Sequence, residues 1–358
     1  MSSMPKYPWW LENIIEFNPS SNDDFNLTEI KDLRVLKTLK TNNDINKIIV
    51  LKDGRLLVIE RIYDDDNEKK SVNTEILYIY NIYKEIICDS KYDIGYETYN
   101  ILQMDDGNII VSNSRGLDIF KIKEKSIEKL KTIKMNFFLG CLLFKISEKI
   151  ILIDKGSELE KCLYENNEIK NIGKINVDNC FMYGFFYAHN FFVINQNEIS
   201  DCIRNSNFDI KSYSYYIKVY DTKEMKEIWT LNIKEGVKNS EYFMCSIGNN
   251  NLIVYVDKEL FVINTNEKKI IYKYDIGQIS SIIYLNKNIF MVELPYVLQL
   301  YSFDQSRNKN IINLEDMKLM KTRYLINILK YQANKLLIRE DPKIIEIYGK
   351  IGRAHVWT

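Results

Sequence analysis

Histidine is the residue that most restricts the chemistry available to this sequence. Ser-His-Asp and Cys-His arrangements need a histidine as the base, and the 358 residues contain only His189 and His355. His189 lies beside Asn190 between two apolar runs, a pattern typical of a turn that joins two strands. No HExxH, P-loop or GxGxxG motif occurs. We therefore expect no catalytic residue, no metal ligand and no cofactor.

Three adjacent carboxylates are the strongest candidate for metal chemistry. Asp64, Asp65 and Asp66 offer the oxygen ligands that calcium prefers, but their spacing matches no EF-hand loop. A flexible, solvated loop between two strands explains them better than a calcium site.

The cysteines indicate the cellular compartment of the protein and do not indicate a metal site. None of the six lies in a Cys-x-x-Cys pair, so the spacing of a zinc site is missing. An even number is compatible with disulfides in a secreted protein, but the N-terminal residues lack the apolar core of a signal peptide. We expect free, mostly buried thiols in a reducing compartment and a cytoplasmic protein. The six are Cys88, Cys141, Cys162, Cys180, Cys202 and Cys245.

Charge and hydropathy do not favour nucleic-acid or membrane partners. The chain has 49 basic and 49 acidic side chains, whereas a nucleic-acid-binding protein usually shows a basic patch or a raised pI. The longest apolar stretch, 180–194, is interrupted by Gly184 and His189 and is shorter than the roughly 20 residues of a membrane span.

A turn followed by a short apolar run recurs along the chain and supplies the elements that would position any site. Successive runs start 37 to 61 residues apart, and one β-rich unit every 40 to 50 residues or so indicates a propeller or array. Ala is rare, whereas 25 Tyr and 16 Phe favour strands over helices. The runs begin near Leu56, Ile109, Ile150, Phe191, Leu252, Ile289 and Leu336.

The first two units align with each other most closely, 51–58 with 104–111. Both contain an Asp-Gly pair whose glycine tolerates the positive φ of a tight hairpin turn. The first unit is predicted to have strands at 48–51, 56–59, 76–80 and 85–88. Four such strands form one propeller blade.

The last unit has no fourth strand of its own. The segment 33–39 alternates apolar and basic residues, as a half-buried outer strand does. We predict an all-β, seven-bladed β-propeller of four-stranded antiparallel blades, with the ring closed by this N-terminal strand, and six blades as the alternative.

The predicted domain organisation is a single propeller with short flanking segments. The propeller covers 31–350, including the closing strand at 31–40, and follows an N-terminal extension at 1–30. Residues 351–358 resemble the translation of a common sequencing adapter, and we expect them not to belong to the natural protein.

The repeat resembles the divergent WD-repeat β-propeller superfamily over roughly residues 31–349. The resemblance rests on Leu51-Lys52-Asp53-Gly54-Arg55-Leu56, on Leu77-Tyr78-Ile79-Tyr80-Asn81, and on Val219-Tyr220-Asp221, where the family often has Trp-Asp. No Gly-His or Trp-Asp dipeptide occurs in the chain. The buried Asp-His-Ser/Thr-Trp network of the family is therefore missing, and we expect apolar packing to replace it.

The resemblance also implies which face binds partners. In the family, the loops between second and third strands lie on the face that commonly binds other proteins. This places the loop with Asp64, Asp65 and Asp66 on that face. The insertion at 195–214 falls there too and is followed by tyrosines, which are enriched in binding hot spots. These candidate contacts are Tyr213, Tyr215 and Tyr216; a variable, disordered insertion is the alternative.

A second candidate contact lies near the N-terminus. Trp9 and Trp10 follow Pro8 and would share one face of a short helix with Ile14 and Phe17. Two adjacent tryptophans are unlikely to be left fully in water. They would either pack against the propeller or dock on another protein.

Taken together, these features predict a monomeric, non-catalytic scaffold that displays loops to other proteins or peptides. The main alternative is a propeller hydrolase or lyase with carboxylates in the central channel. A secreted carbohydrate-binding or adhesion module is a third, which the N-terminal sequence does not favour.

Overall fold

The computed structural model contains β-strands and no helix in the part of the chain that it describes. The chain divides into two compact units. The first is Thr41–Asn239, and the second combines Met1–Lys40 with Ser240–Thr358. The described residues are 34–63, 72–82, 86–135, 142–155, 158–176, 183–187, 191–205, 208–221, 223–237, 242–248, 250–279, 281–286, 289–294, 297–303, 311–317, 327–332, 335–341 and 343–349.

Strand β1 spans Arg34–Lys40 and belongs to the second unit. The first unit consists of four four-stranded antiparallel sheets in which neighbours in sequence are neighbours in space. Sheet 1 is β2 (Asp44–Val50), β3 (Leu56–Tyr63), β4 (Val72–Asn81) and β5 (Ile87–Asp93). Sheet 2 is β6 (Thr98–Gln103), β7 (Ile109–Asn113), β8 (Gly116–Ile122) and β9 (Ile127–Lys134). Sheet 3 is β10 (Leu142–Lys145), β11 (Ile150–Asp154), β12 (Glu158–Glu165) and β13 (Glu168–Asn176). Sheet 4 is β14 (Tyr183–Tyr187), β15 (Phe191–Asn205), β16 (Phe208–Asp221) and β17 (Lys226–Val237).

The second unit has three further sheets of the same kind. Sheet 5 is β18 (Tyr242–Gly248), β19 (Asn251–Val256), β20 (Glu259–Asn264) and β21 (Lys269–Asp275). Sheet 6 is β22 (Ser281–Asn286), β23 (Ile289–Leu294), β24 (Val297–Phe303) and β25 (Ile311–Met317). Sheet 7 is β26 (Asn327–Gln332), β27 (Lys335–Asp341) and β28 (Ile344–Gly349), with β1 as its fourth strand.

The seven predicted apolar runs all lie in the second strands of these sheets, β3, β7, β11, β15, β19, β23 and β27. Every residue of β7 and β19 is buried. A strand packed on both faces has continuous apolar sequence instead of alternating apolar and polar residues. This burial explains why these strands were the clearest signal in the sequence.

The Asp-Gly pairs form the turns that the sequence predicts. Gly54 and Gly107 have φ values of 82° and 85°. The N–H of Gly54 donates to the Leu51 carbonyl at 2.8 Å, and that of Gly107 to the Met104 carbonyl at 3.1 Å. The two turns therefore share one geometry, as the alignment of the first two units indicates.

The core lies between the faces of consecutive sheets. One cluster joins Leu57 and Ile79 of sheet 1 to Val111 and Phe120 of sheet 2. A second joins sheets 2 and 3, and in the other unit a third joins sheets 5 and 6. These three pairs of sheets are therefore stabilised by the apolar side chains buried between them, as in repeat proteins.

Strand β1 pairs with β28 in antiparallel register, from Arg34 opposite Gly349 to Lys40 opposite Ile344. Leu39 of β1 is buried. The predicted pairing of the N-terminal strand with the last strands of the chain is therefore present.

Two predictions on strand bounds were wrong. The fourth strand of sheet 1 is Ile87–Asp93 and not 85–88. The insertion at 195–214 is not a loop, because β15 and β16 continue through it as a hairpin, with Asn195 opposite Ile217 and Asn205 opposite Phe208. The backbone groups of the two segments bond to each other, which polar composition alone does not reveal.

Several predicted residues lie outside the described part of the chain: Asp64, Asp65, Asp66, Trp9, Trp10 and His189. Among the described residues, no helix is long and apolar enough to cross a membrane.

Candidate interaction surface

Polar side chains of sheets 1 and 2 converge at residues 94–97, which connect β5 to β6 and which we call the 94–97 connection. The buried Ile94 anchors its start, because its N–H donates to the Glu75 carbonyl at 2.9 Å. Thr98, at its end, begins the first strand of sheet 2 and is buried as well. Tyr96 and Glu97 lie between these two fixed points and are partly or fully exposed.

The buried carboxylate of Glu75 fixes one end of the connection. Its Oε1 accepts hydrogen bonds from Asn46 Nδ2 at 2.7 Å and from Arg61 Nε at 3.1 Å. Its Oε2 accepts one from the Thr98 N–H at 2.7 Å. Burial raises the pKa of Glu75, although the bonds from Thr98 and Arg61 act in the opposite direction. Glu75 thereby ties three strands of sheet 1 to the first strand of sheet 2.

Arg61 links the buried carboxylate of Glu75 to the exposed carboxylate of Glu97. Its Nη2 lies 3.2 Å from Glu97 Oε1, while its Nε bonds Glu75. A second buried carboxylate, Glu60, accepts bonds from the N–H and the side-chain amide of Asn43 at 3.2 and 3.1 Å. The surface on this side of sheet 1 is therefore held in place by buried groups beneath it.

The carboxylate of Asp118 fixes the other side of the connection. This residue is fully buried on β8. Its Oδ2 accepts bonds from the Tyr96 hydroxyl at 2.6 Å and from Asn113 Nδ2 at 3.1 Å. Its Oδ1 accepts a bond from the Thr132 hydroxyl at 2.6 Å and lies 2.8 Å from Lys129 Nζ. Both oxygens of the carboxylate are therefore occupied by donors of sheet 2 and of the connection.

These two polar networks accompany the apolar packing between sheets 1 and 2, with Glu75 and Asp118 as the acceptors. The Glu75 carboxylate also accepts the buried backbone N–H of Thr98, which needs an acceptor because it is shielded from water.

Tyr96 is held in a single position by these bonds. Lys129 Nζ donates to its hydroxyl oxygen at 3.0 Å while the hydroxyl donates to Asp118. Burial, and then the Asp118 bond, raise the pKa of Tyr96, so its hydroxyl stays a donor at neutral pH. The guanidinium of Arg115 lies 4.6 Å from the centre of the Tyr96 ring. This distance is that of a cation–π contact.

The turn between β7 and β8 holds Arg115 in place. The Arg115 N–H donates to Asn113 Oδ1 at 2.8 Å. Gly116 has a φ of 134°, a region that other residues rarely adopt, and a Cβ there would overlap the Ile133 carbonyl oxygen. Arg115 is therefore an exposed side chain on a closely constrained backbone. We define the interaction surface as Arg61, Tyr96, Glu97 and Arg115.

The described residues among the predicted contacts lie on a different sheet from this surface. Tyr213, Tyr215 and Tyr216 lie on β16 of sheet 4. Tyr215 is only 3% exposed, whereas Tyr216 is partly exposed. Tyr215 therefore packs within the first unit. A role for these tyrosines in partner binding stays a prediction, as it does for the residues outside the described part.

Arg61, Tyr96, Glu97 and Arg115 were not predicted from the sequence. One signal for Arg115 was available, the Ser-Arg-Gly tripeptide between two apolar runs, which is the sequence of a tight turn with an exposed arginine. Nothing in the sequence brings Arg61 close to Glu97, because the two are 36 residues apart.

Metal-ligating residue types and free thiols occur elsewhere in the described part of the chain. No group of three or more His, Cys, Asp or Glu side chains is placed to hold a metal ion there. Cys88, Cys162 and Cys245 are free thiols, and burial raises the pKa of both Cys162 and Cys245 to about 12. Such thiols remain protonated and unreactive at neutral pH.

A shallow groove of about 380 Å³ lies between the turns at the opposite ends of sheets 1 and 2. Arg55 occupies part of its wall, and its Nη1 donates to the Lys123 and Glu124 carbonyls, each at 3.1 Å. Its guanidinium also contacts Asp53 at 2.7 Å. These bonds join two sheets and leave Arg55 little capacity to bind a ligand.

Comparison with known structures decides the fold. The chain matches the crystal structure of the WD40 β-propeller domain of Doa1 with a TM-score of 0.57 and 9% sequence identity, over 89% of this chain and 98% of that chain. The fold is that of a WD-repeat-like β-propeller. At this identity the match establishes the fold and not the function.

The sequence comparisons add no closer relative. No protein-family model matches the chain, and no curated protein matches it. In total, 606 chains of known structure match this chain.

Proposed function

We propose that the protein is a non-catalytic scaffold that binds other proteins through the interaction surface formed by Arg61, Tyr96, Glu97 and Arg115. The observation that carries the proposal is the exposed Arg115 guanidinium over the Tyr96 ring. Arg and Tyr are two of the three residue types most enriched among binding hot spots.

The support beneath these side chains strengthens the proposal. Buried Glu75 and Asp118 hold the 94–97 connection from two sides. Binding then costs less conformational entropy, because the contact residues are already ordered. An exposed site on a rigid framework is also the usual arrangement of functional loops.

The carboxylates of this region support scaffolding over hydrolysis. A propeller enzyme would need acidic side chains that are available to a substrate. Both oxygens of Glu75 and both oxygens of Asp118 instead accept bonds from protein donors. We assign these two residues a structural role.

We further propose that the seven sheets are the seven blades of one propeller, with β1 as the outer strand of the last blade. The pairing of β1 with β28 supports this closure. Closure would remove the exposed strand edges that promote aggregation. A cytoplasmic location, a monomeric state and freedom from membrane and nucleic-acid partners complete the proposal, and the free thiols fit a reducing compartment.

Affinity purification from cells of the source organism, followed by mass spectrometry, tests the proposal. The wild-type protein should recover reproducible partners, and a Tyr96→Ala, Arg115→Ala double variant should lose them. A Lys125→Ala variant, altered at an exposed lysine in the turn between β8 and β9, is the matched control and should retain them. If the wild-type protein recovers no reproducible partner, the scaffold proposal is wrong.

A further inference from the structure

Arg115 differs from the other cations near the 94–97 connection. Arg61 contacts the carboxylates of Glu75 and Glu97, and Lys129 contacts that of Asp118. Arg115 forms no ion pair with any residue in the described part of the chain. Its guanidinium lies over the face of the Tyr96 ring. Arg115 is therefore the cation of this surface that has no ion-pair partner among the described residues.

The position of Arg115 favours a planar anion. A guanidinium has five N–H donors in a rigid fork and binds a carboxylate through two parallel hydrogen bonds. The Asn113 bond fixes the backbone of Arg115, and Tyr96 contacts its guanidinium. Less side-chain freedom is then lost when an anion binds.

The charges around Arg115 favour a ligand group with one negative charge over a ligand with many. The cations Arg61, Arg115 and Lys129 face the anions Glu75, Glu97 and Asp118, so the cluster has no net charge. Such a cluster does not attract a polyanion such as nucleic acid. Glu97 is exposed beside Arg61 and would repel the second charge of a phosphate group.

Together these observations select the chemistry of the partner. We propose that Arg115 binds the carboxylate of a single Asp or Glu side chain in a peptide segment of the partner protein. This inference rests on the proposed scaffold function and names the chemical class of its ligand.

Selection from a phage-displayed random peptide library on the full-length protein provides the probe. We expect the selected peptides to share one Asp or Glu and to carry few further charges. Replacing the acidic residue of a selected peptide by its amide should weaken binding about 10- to 100-fold, because a hydrogen bond to a charged group is lost.

Variants of the protein assign the carboxylate to Arg115. Arg115→Ala should weaken acidic-peptide binding to the same extent as the amide peptide, and the two changes together should weaken it no further. Arg115→Lys should recover only part of the affinity, because an ammonium cannot form the two parallel bonds. Lys125→Ala, the matched control, should bind as the wild type does. Urea unfolding of each variant shows whether its fold is kept.

Two outcomes would overturn this inference and leave the scaffold proposal standing. One is selection of peptides that bind the wild-type and Arg115→Ala proteins equally well. The other is tighter binding of a phosphoserine peptide than of the matching Asp or Glu peptide. If affinity purification with the wild-type protein recovers no reproducible partner, that separate result refutes the scaffold proposal itself.

Discussion

Replacing Asp118 by alanine should destabilise the protein by about 3 kcal/mol, from the cost of breaking a buried charged network. The Asp118 carboxylate is fully buried and has four donors. They are the Tyr96 and Thr132 hydroxyls, each at 2.6 Å, Lys129 Nζ at 2.8 Å and Asn113 Nδ2 at 3.1 Å. Alanine would leave all four without this acceptor.

The magnitude follows from which donors can reach water. Thr132 is exposed and Lys129 is 27% exposed, so both regain hydration when the carboxylate is removed. Asn113 is buried and Tyr96 is half-buried, so their donor groups have the least access to water in place of the lost carboxylate. A hydrogen bond to a charged group contributes about 1.5–3 kcal/mol, and breaking a buried ion pair costs about 3–5 kcal/mol. Because two of the four donors regain hydration, the expected loss of stability is at the lower end of the range for breaking a buried ion pair, about 3 kcal/mol.

Urea unfolding at neutral pH, followed by circular dichroism, measures this loss. Asp118→Asn keeps the volume and one acceptor oxygen, so it should cost less than Asp118→Ala. Glu128→Ala is the matched control on the next strand, where the carboxylate pairs only with an exposed lysine, and it should leave the midpoint unchanged. If Asp118→Ala unfolds within about 0.5 kcal/mol of the wild type, the size of an ordinary surface effect, the network does not hold the connection.

The remaining predictions concern backbone, pH and the N-terminal strand. Gly116→Ala should lower the melting temperature sharply, because its Cβ would overlap the Ile133 carbonyl; an unchanged melting temperature would refute the close packing. Burial raises the pKa of Glu75 above its ordinary value of 4.5, so the folded state binds this proton more tightly than the unfolded state does. The contribution of Glu75 to the free energy of unfolding therefore falls as the pH rises above about 4.5. The free energy of unfolding of the wild type minus that of Glu75→Gln should therefore decrease between pH 4.5 and 7, and an increase would contradict the direction of the shift. Finally, a chain starting at Asp44 should melt well below one starting at residue 31, because it lacks the pairing of β1 with β28; equal melting temperatures would show that β1 contributes nothing.

The fold could be predicted from the sequence where the apolar run of a single strand was enough to identify that strand. Leu56 and Ile109 begin strands that are buried on both faces, so their apolar runs were visible without knowledge of their neighbours. Gly54 and Gly107 marked the turns because their positive φ restricts the residue type.

The candidate surface was not predicted because its residues meet only in the folded chain. Arg61 lies on β3 and Glu97 lies 36 residues later in the 94–97 connection. The network beneath them likewise joins Asn46 to Thr98, which lies 52 residues after it. The polar character of these residues alone was equally compatible with exposed positions on separate strands. The hairpin of β15 and β16 escaped prediction for the same reason, since its pairing depends on register between two segments and not on the composition of either.

Hydrogen–deuterium exchange on a purified complex with a cellular partner would locate the binding surface. We expect slower exchange at 94–97 and at 113–116 when the partner is bound, and unchanged exchange in the turn at 123–126 at the opposite end of sheet 2. Protection confined to other parts of the chain, with 94–97 and 113–116 unaffected, would contradict the proposed interaction surface.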